Sequence, residues 1–431
     1  MNNIDIIKNS AIILIIFFDY WIKMLLQCFA STNRGLEDLL LNELRLLGAS
    51  DLLKTNAGVT FNATFILVMK INLHSRLASR IFIQVAYDYY QSEQDIYNLA
   101  YKIKWHEYFD VNNTIKISTG SIGSLVKSLD FVNLRTKDAI CDNFANYCDK
   151  RPDVKRASPD IHIYNFLTKD TITMYLDTSG ECLFKRGYRI HQLDAPIKEN
   201  LAAGMLQLIN WQPTQVLFDP MCGSGTIIIE ALMQGLNIAS GLIRDFAFIK
   251  LLQFDKLAYQ QLQLAAYKMI NYHNKLQLYA NDIDDYAVSV TKENLVNLFT
   301  KLQSNKLELL ENDENNVSND IDTLINKYVI FTNQDCLHMV KPQISGIMLS
   351  NPPYGVRLQT TQTVTEFCQL LASNLKKNFH NWTCYFISAN RDMPQMMRLK
   401  TTRKIPLING DLDCRLFEFK MVDGSNRAIR T

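Results

Sequence analysis

The residues most able to do chemistry stand in the stretch Ser350-Asn351-Pro352-Pro353-Tyr354-Gly355, directly behind the apolar run 344–349. An aromatic or amide amine is a poor nucleophile, because its lone pair is delocalised into the neighbouring π system. Two prolines stiffen the corner, so the Asn351 side-chain oxygen and the Pro352 carbonyl can accept both hydrogens of such an amine and turn its lone pair outward. Tyr354 can stack on a base, a contact worth about 1–3 kcal/mol. Methyl transfer to that amine is an in-line displacement in which positioning does most of the work. It needs no histidine base, and none is evident beside the motif. A proline-rich turn after a buried strand would account for the prolines alone, but not for acceptor, stiffener and stacker together. The motif points to amine methylation and leaves adenine, cytosine, guanine and a protein glutamine open as acceptors.

A methyl donor needs its own seat, and residues 216–226 (VLFDPMCGSGT) offer one. A short apolar strand, a glycine turn and the helical run 227–234, with Gly235 placed to end it, form a strand-turn-helix unit. Gly223 and Gly225 let the backbone pass close to a ligand, and the helix amino terminus presents unpaired N–H groups to the carboxylate of a methionyl moiety. Ile228 stands where a dinucleotide fingerprint has its third glycine, so S-adenosyl-L-methionine fits the turn better than a dinucleotide. Asp219 at the strand end suits the donor's ammonium group or an ordering hydrogen bond. Taken alone, the two glycines could equally serve a tight connection.

The donor's ribose asks for an acidic residue after the next strand, and 276–282 (LQLYAND) supplies Asp282, with Asp284 behind it. The usual spacing from a glycine turn is about 20 residues. Here it is far longer, so an insertion of helical character, roughly 245–274, must intervene. A third strand, 328–332, ends near Asp335, which is placed to meet an adenine amino group; a surface turn also recruits Asp for its own sake.

The elements around these motifs change character along the chain. Before about residue 185, short β-rich segments (59–61, 81–85, 114–118, 161–165, 171–176) alternate with amphipathic helical ones such as 35–47, which predicts an α+β region. From residue 216 onward, short apolar strands end in an acidic or polar residue and lead into helices, the pattern of a parallel βαβ sheet. The change falls near 178–195. Residues 311–320 (ENDENNVSND) read as a solvated loop, and no repeat of solenoid period is present.

Composition agrees with a globular enzyme: 431 residues, 48% hydrophobic and 20% charged, enough for two or three domains with real cores. A net charge of +2 gives no global field, so any nucleic-acid surface must be a local patch. Nine cysteines stand singly with no CxxC pair and no Cys/His cluster, which predicts a reduced, metal-free, cytoplasmic protein. The apolar run 11–18 (AIILIIFF) is too short to span a bilayer and lacks the flanks of a signal peptide. Residues 1–23 are therefore expected to be an extension outside the working protein, which would begin at Met24 without membrane association.

From Met24 to about Phe419 the chain resembles the bacterial THUMP-domain 23S rRNA guanine-N2 methyltransferases. The matching stretches are 29–49 (FASTNRGLEDLLLNELRLLGA), 74–82 (HSRLASRIF), 135–144 (RTKDAICDNF), 151–167 (RPDVKRASPDIHIYNFL), DPMCGSGT at 219–226, NPPYG at 351–355 and NGDLDC at 409–414. The resemblance implies a ferredoxin-like region at 24–65, a THUMP RNA-binding domain at 66–178 and a linker at 179–195. A Rossmann-like class I methyltransferase domain with a mostly parallel seven-stranded sheet would follow at 196–431. It also implies cofactor contacts from Pro220, Cys222 and Thr226 beside Asp219, Gly223, Gly225, Asp282 and Asp335. Ala195, Pro196 and Lys198 match the segment that closes over the methionyl end, with Pro196 counted among the cofactor contacts. Asn351, Pro352, Pro353 and Tyr354 would be the catalytic residues, and the helical insertion before the acidic strand end is a family feature. The product cofactor would be S-adenosyl-L-homocysteine. Many relatives continue into a second domain that makes 7-methylguanine; that activity is not expected here, and the extension before Met24 has no counterpart in the family pattern.

RNA is the expected partner, as 23S rRNA or a large-subunit assembly intermediate in ribosome biogenesis, with no DNA and no metal. Lys150, Arg151, Lys155, Arg156, Lys185, Arg186 and Arg189 are the basic residues expected to meet its backbone, although such clusters often form only a solvated face. A tRNA guanine, a DNA adenine or a protein glutamine remain alternative acceptors. A non-enzymatic assembly factor would leave the glycine turn and NPPY without a purpose.

Overall fold

A computed structural model describes residues 24–191, 197–309, 320–353 and 363–422. The run at 11–18 lies outside them, as does the biased loop at 311–320 except for Asp320. Two compact units are present. Of the described residues, the first gathers those from Met24 to Thr32 with Leu40–Leu183 and Asp245–Gln263; the second gathers those of Asn33–Leu39, Phe184–Arg244 and from Leu264 on.

The first unit is built on a seven-stranded sheet. Its strands are β1 (Leu26–Ser31), β2 (Ser50–Thr55), β3 (Gly58–Ala63), β4 (Arg80–Tyr89), β5 (Ile115–Ser121), β6 (Ile161–Leu167) and β7 (Thr171–Asp177), in the order β2-β3-β1-β4-β7-β6-β5. Period-two patterns set their faces: in β6, Ile161, Ile163, Asn165 and Leu167 turn inward. β4 is long enough to pair with β1 through Arg80–Ile83 and with β7 as far as Tyr89, so one strand joins both halves of the sheet. The helices Glu93–Lys102 and Leu129–Cys148 start at serine caps, Ser92 and Ser128. They bury Ile96, Ala100, Val132 and Ala139 against Leu167, Ile172 and Met174.

The second unit holds another seven-stranded sheet. It comprises β8 (Leu217–Asp219), β9 (Leu278–Asp282), β10 (Val329–Asn333), β11 (Gly346–Ser350), β12 (Trp382–Ser388), β13 (Arg403–Asn409) and β14 (Leu412–Lys420). The order is β10-β9-β8-β11-β12-β14-β13. The strands from β8 to β12 are parallel, and the closing hairpin β13–β14 is antiparallel to its neighbours. Nearly all of β12 is buried, as a central strand covered on both faces must be. Leaving β8, the chain order runs outward one way through β9 and β10 and the other way through β11. The carboxyl ends of β8 and β11 therefore flank the reversal where ligands bind in such sheets.

The expected insertion before β9 is present and has a structural reason. The short turn Ala247–Lys250 and the start of the helix Lys256–Lys268 pack within the first unit, not the second. Phe248 N–H donates to the Thr178 carbonyl at 3.0 Å and Leu252 N–H to the Tyr108 carbonyl at 2.9 Å. Sequence distance between β8 and β9 is spent on that excursion.

Candidate active site

β8 is buried along its whole length and delivers the chain into the turn 220–225. The turn needs glycine at Gly225 for two reasons: its φ is +80°, and a Cβ there would lie 2.5 Å from Thr291 Cγ2. Gly223 differs. Its φ is +54°, yet nothing lies within 4 Å of where its Cβ would be, so this face of the turn opens onto space. The helix Asp285–Leu309 grips the turn from its other side, because Thr291 Oγ1 donates to the Gly223 carbonyl at 2.9 Å and Asn294 Nδ2 to the Ser224 carbonyl at 3.1 Å. Both side chains are buried, and neither was singled out from sequence.

Asn281 in β9 is a third residue that sequence reasoning missed. Its amide donates to the Pro220 carbonyl at 3.0 Å and the Gln334 carbonyl at 2.8 Å, and its oxygen accepts from Thr332 Oγ1 at 2.7 Å and from Gln334 N–H at 3.1 Å. One saturated side chain in β9 thus ties together the loops after β8 and β10. A buried asparagine inside an otherwise apolar strand was the available signal, since a buried amide must be satisfied. The neighbouring Asp282 accepts from Gly223 N–H at 2.9 Å and from Asp284 N–H at 3.1 Å, which aims the β9 carboxylate at the open side of the turn; burial raises its pKa. Asp335 stands in the loop after β10 and accepts from Leu337 N–H at 2.9 Å.

Asp219 does not point into solvent. It is buried and accepts from Ser350 Oγ at 2.6 Å and from Met221 N–H at 3.2 Å, and burial lifts its carboxyl to about 7. Of the two roles expected for it, the geometry favours the ordering hydrogen bond. Ser350 ends β11, whose Met348 is paired with Phe218 of β8, so the bond joins the NPPY corner to the glycine turn across adjacent strands. Asn351 follows at once. Its Oδ1 is buried and accepts no hydrogen bond from the described residues, which is costly unless a donor arrives. Pro352 is buried and Pro353 half-buried. Tyr354 and Pro196 lie outside the described residues. Pro220 supplies the carbonyl held by Asn281, and Thr226 opens the helix Thr226–Gly235. Cys222 is buried against Thr291, and desolvation pushes its thiol well above the ordinary range.

Two of the basic residues expected to meet RNA are corrected. Arg186 is buried, with guanidinium contacts at 3.2 and 3.3 Å on Glu230, whose side chain is also wholly buried; a charge enclosed this way is matched by its partner and cannot reach a phosphate. Arg189 points inward too, donating to Glu199 Oε1 at 2.9 and 3.1 Å, to Ser224 Oγ at 2.7 Å and to Thr226 Oγ1 at 2.9 Å. Lys185 is exposed in the second unit, and Lys150, Arg151, Lys155 and Arg156 are exposed in the first, where Arg151 pairs with Asp142 at 2.7 Å. Among the described residues, no three His, Cys, Asp or Glu side chains could hold a metal ion, and no helix is long and apolar enough to cross a membrane.

Comparison with known families accords with this geometry. The model of the RMKL-like methyltransferase domain matches residues 186–316 and 314–418, that of the THUMP domain residues 90–177, and that of the RlmL ferredoxin-like domain residues 27–82. The ribosomal RNA large subunit methyltransferase K/L of Shewanella frigidimarina is 32% identical over 404 residues, covering 93% of this chain and 53% of that protein. The protein of the same name from Shewanella pealeana is 34% identical over 395 residues, covering 90% and 52%. The chain thus spans about half the length of the curated relatives it matches. Among solved structures, SMU.472, crystallised with SAH, superposes with a TM-score of 0.77 at 27% identity, covering 94% of this chain and 100% of that one.

Proposed function

Because the chain belongs to the family of RMKL-like methyltransferases, we propose that it moves a methyl group from S-adenosyl-L-methionine to the exocyclic N2 amine of a guanine in 23S rRNA, leaving S-adenosyl-L-homocysteine. The observation that carries this reading is the junction at Ser350 and Asp219. It joins the strand end before Asn351, whose buried oxygen has no donor among the described residues, to a glycine turn whose Gly223 side is open.

The residues present fit the donor. Gly223 leaves the room that its backbone approach requires, and Asp282, already oriented by two backbone N–H groups, keeps lone pairs for ribose hydroxyls. Asp335 suits the adenine amine, while Pro196 and Thr226 belong to the segments that would hold the methionyl end. When bound, S-adenosylmethionine supplies an electrophilic methyl group on a sulfonium. Asn351 Oδ1 and the Pro352 carbonyl take the two amine hydrogens and hold the nitrogen lone pair toward that methyl; Pro353 stiffens the corner and Tyr354 stacks on the base. Orientation of this kind converts a weak nucleophile into a near-attack one.

RNA as the substrate is supported by the THUMP match and by the names of the relatives. A guanine within a partly assembled large subunit, in the cytoplasm, is the form that suits a site demanding a splayed-out base, because extrusion costs least where the strand is already loose. Nucleoside mass spectrometry of 23S rRNA from a strain lacking the protein tests the reading. One 2-methylguanosine should be missing and should return with the gene; an unchanged nucleoside profile would refute it.

A further inference from the structure

Residues 409–414 belong neither to the donor's seat nor to the NPPY corner, yet they gather exposed charge at the edge of the second sheet. β13 and β14 close through Gly410 and Asp411, with Asn409 paired to Leu412. Just past the turn, Asp413 collects two arginines. Arg391, from the loop after β12, donates through Nη2 to its Oδ2, and Arg415, from β14 itself, donates through Nη1 to its Oδ1. The Arg391 and Asp413 side chains are 65% and 47% exposed, so what they do not spend on each other stays within reach of a ligand.

Strand register puts this cluster beside the corner. Ser350 pairs with Phe386 of β12, and Ser388 of β12 pairs with Arg415 of β14. Carried two residues on, the register sets Pro352 level with Ser388 and Arg415, and Asp413 lies two residues further toward the carboxyl end of β12. β11, β12 and β14 are adjacent, so corner and cluster stand two strands apart, about 10 Å at the usual spacing. One purine, with side chains reaching it from either side, fills such a gap.

The charges here suit a base and not a phosphate. On the hairpin and the loop after β12, three exposed carboxylates, Asp392, Asp411 and Asp413, outnumber Arg391 and Arg415, which disfavours an anion. Asp392 and Asp411 have no basic partner among the described residues, so only Asp413 offers an acceptor with a guanidinium donor beside it. Hydrogen bonds from Arg415 and Arg391 hold its carboxyl below the ordinary range. Each carboxylate oxygen keeps a lone pair after one bond, and Arg391 keeps most of its five N–H donors.

We propose that Asp413 and Arg391 read the acceptor base as guanine: the Asp413 carboxylate accepts from N1–H and the Arg391 guanidinium donates to O6, while Asn351 and Pro352 hold the N2 amine. The inference rests on the guanine-N2 reading above and goes beyond it by naming what excludes the other amines that an NPPY corner could hold. An adenine held by its N6 amine presents only ring acceptors on either side, N1 and N7, and a carboxylate repels both. Guanine alone among the bases sets a donor and then an acceptor next to the amine being methylated.

Single-turnover methyl transfer by the full chain to two 23S rRNA transcripts tests this. One carries the acceptor guanosine, located by mass mapping; in the other that nucleoside is 2,6-diaminopurine, which keeps the N2 amine but accepts at position 1 and donates at position 6. The unaltered chain should prefer guanine about a hundredfold or more. Asp413→Ala and Arg391→Met should each narrow that preference about tenfold or more by slowing the guanine transcript alone, with S-adenosylhomocysteine affinity within about twofold. Either variant suffices should the other fail to fold. Asp411→Ala, which removes a carboxylate without an arginine partner, should leave the preference unchanged. Equal slowing of both transcripts by the two variants, an unchanged preference in both, or the same narrowing from Asp411→Ala would overturn the assignment while leaving the guanine-N2 reading intact. An unaltered chain that methylates neither transcript would overturn that reading as well.

Discussion

Asn351 and Asp219 show two opposite uses of burial. Among the described residues, the buried Asn351 oxygen has no donor partner. Asp219 is satisfied by Ser350 and Met221, yet burial still lifts its carboxyl from 3.8 to about 7. Its folded pKa exceeds the unfolded one, so the folded state holds a proton that the unfolded state has lost between those values. Stability should therefore fall as pH rises from about 4 to about 7, by on the order of a few kcal/mol, and level off above. Asp219→Asn should flatten the fall, since an amide oxygen can still accept from Ser350; melting temperatures across that range compare the two, and parallel curves would contradict the assignment. Arg186 and Glu230 give a second residue-scale expectation. Arg186→Met strands a buried carboxylate and should cost about 3–5 kcal/mol in chemical denaturation, whereas Arg186→Met with Glu230→Leu should recover most of it.

At the scale of elements, the glycine turn is held by the helix Asp285–Leu309, and its two glycines should respond differently to alanine. Gly225→Ala drives a methyl into Thr291 at a positive φ and should lower both melting temperature and cofactor affinity. Gly223→Ala meets open space, so its stability cost should be the backbone penalty alone, about 1–2 kcal/mol, with a larger loss in cofactor binding as the methyl enters the ligand's side. Equal effects in both assays would contradict this division. Much of this was legible in the sequence: the strand-turn-helix around residue 219, the acidic end of β9 and the NPPY corner each follow from local pattern. Arg186 and Arg189 were not, because a run of basic residues looks the same whether its partners are phosphates or the distant Glu230, Glu199, Ser224 and Thr226. Thr291 and Asn294 were hidden for the same reason: a satisfied buried polar residue is defined by partners that only the fold brings near.

For the whole molecule, a net charge of +2 leaves RNA attraction to local patches. Lys150, Arg151, Lys155 and Arg156 are exposed on the first unit, which contains the segment matched by the THUMP model. Replacing Arg151, Lys155 and Arg156 with serine should weaken RNA binding and flatten its salt dependence, while S-adenosylhomocysteine affinity stays unchanged; an unaltered salt slope would remove these residues from the interface. The excursion 245–263, which packs with that same unit, ties the spacing between the cofactor motifs to the architecture rather than to the chemistry. A splayed base is also easier to obtain from naked or partly assembled rRNA than from mature subunits, so methyl incorporation should be greater in the former.

The proposed transfer requires Asn351 to hold an amine without helping to hold the donor. Single-turnover methyl transfer by Asn351→Ala, run beside calorimetric titration with S-adenosylhomocysteine, measures the two separately. The rate of transfer to RNA should fall about a hundredfold or more while cofactor affinity remains within about twofold of wild type. A variant that methylates RNA as fast as the unaltered chain would contradict the central claim.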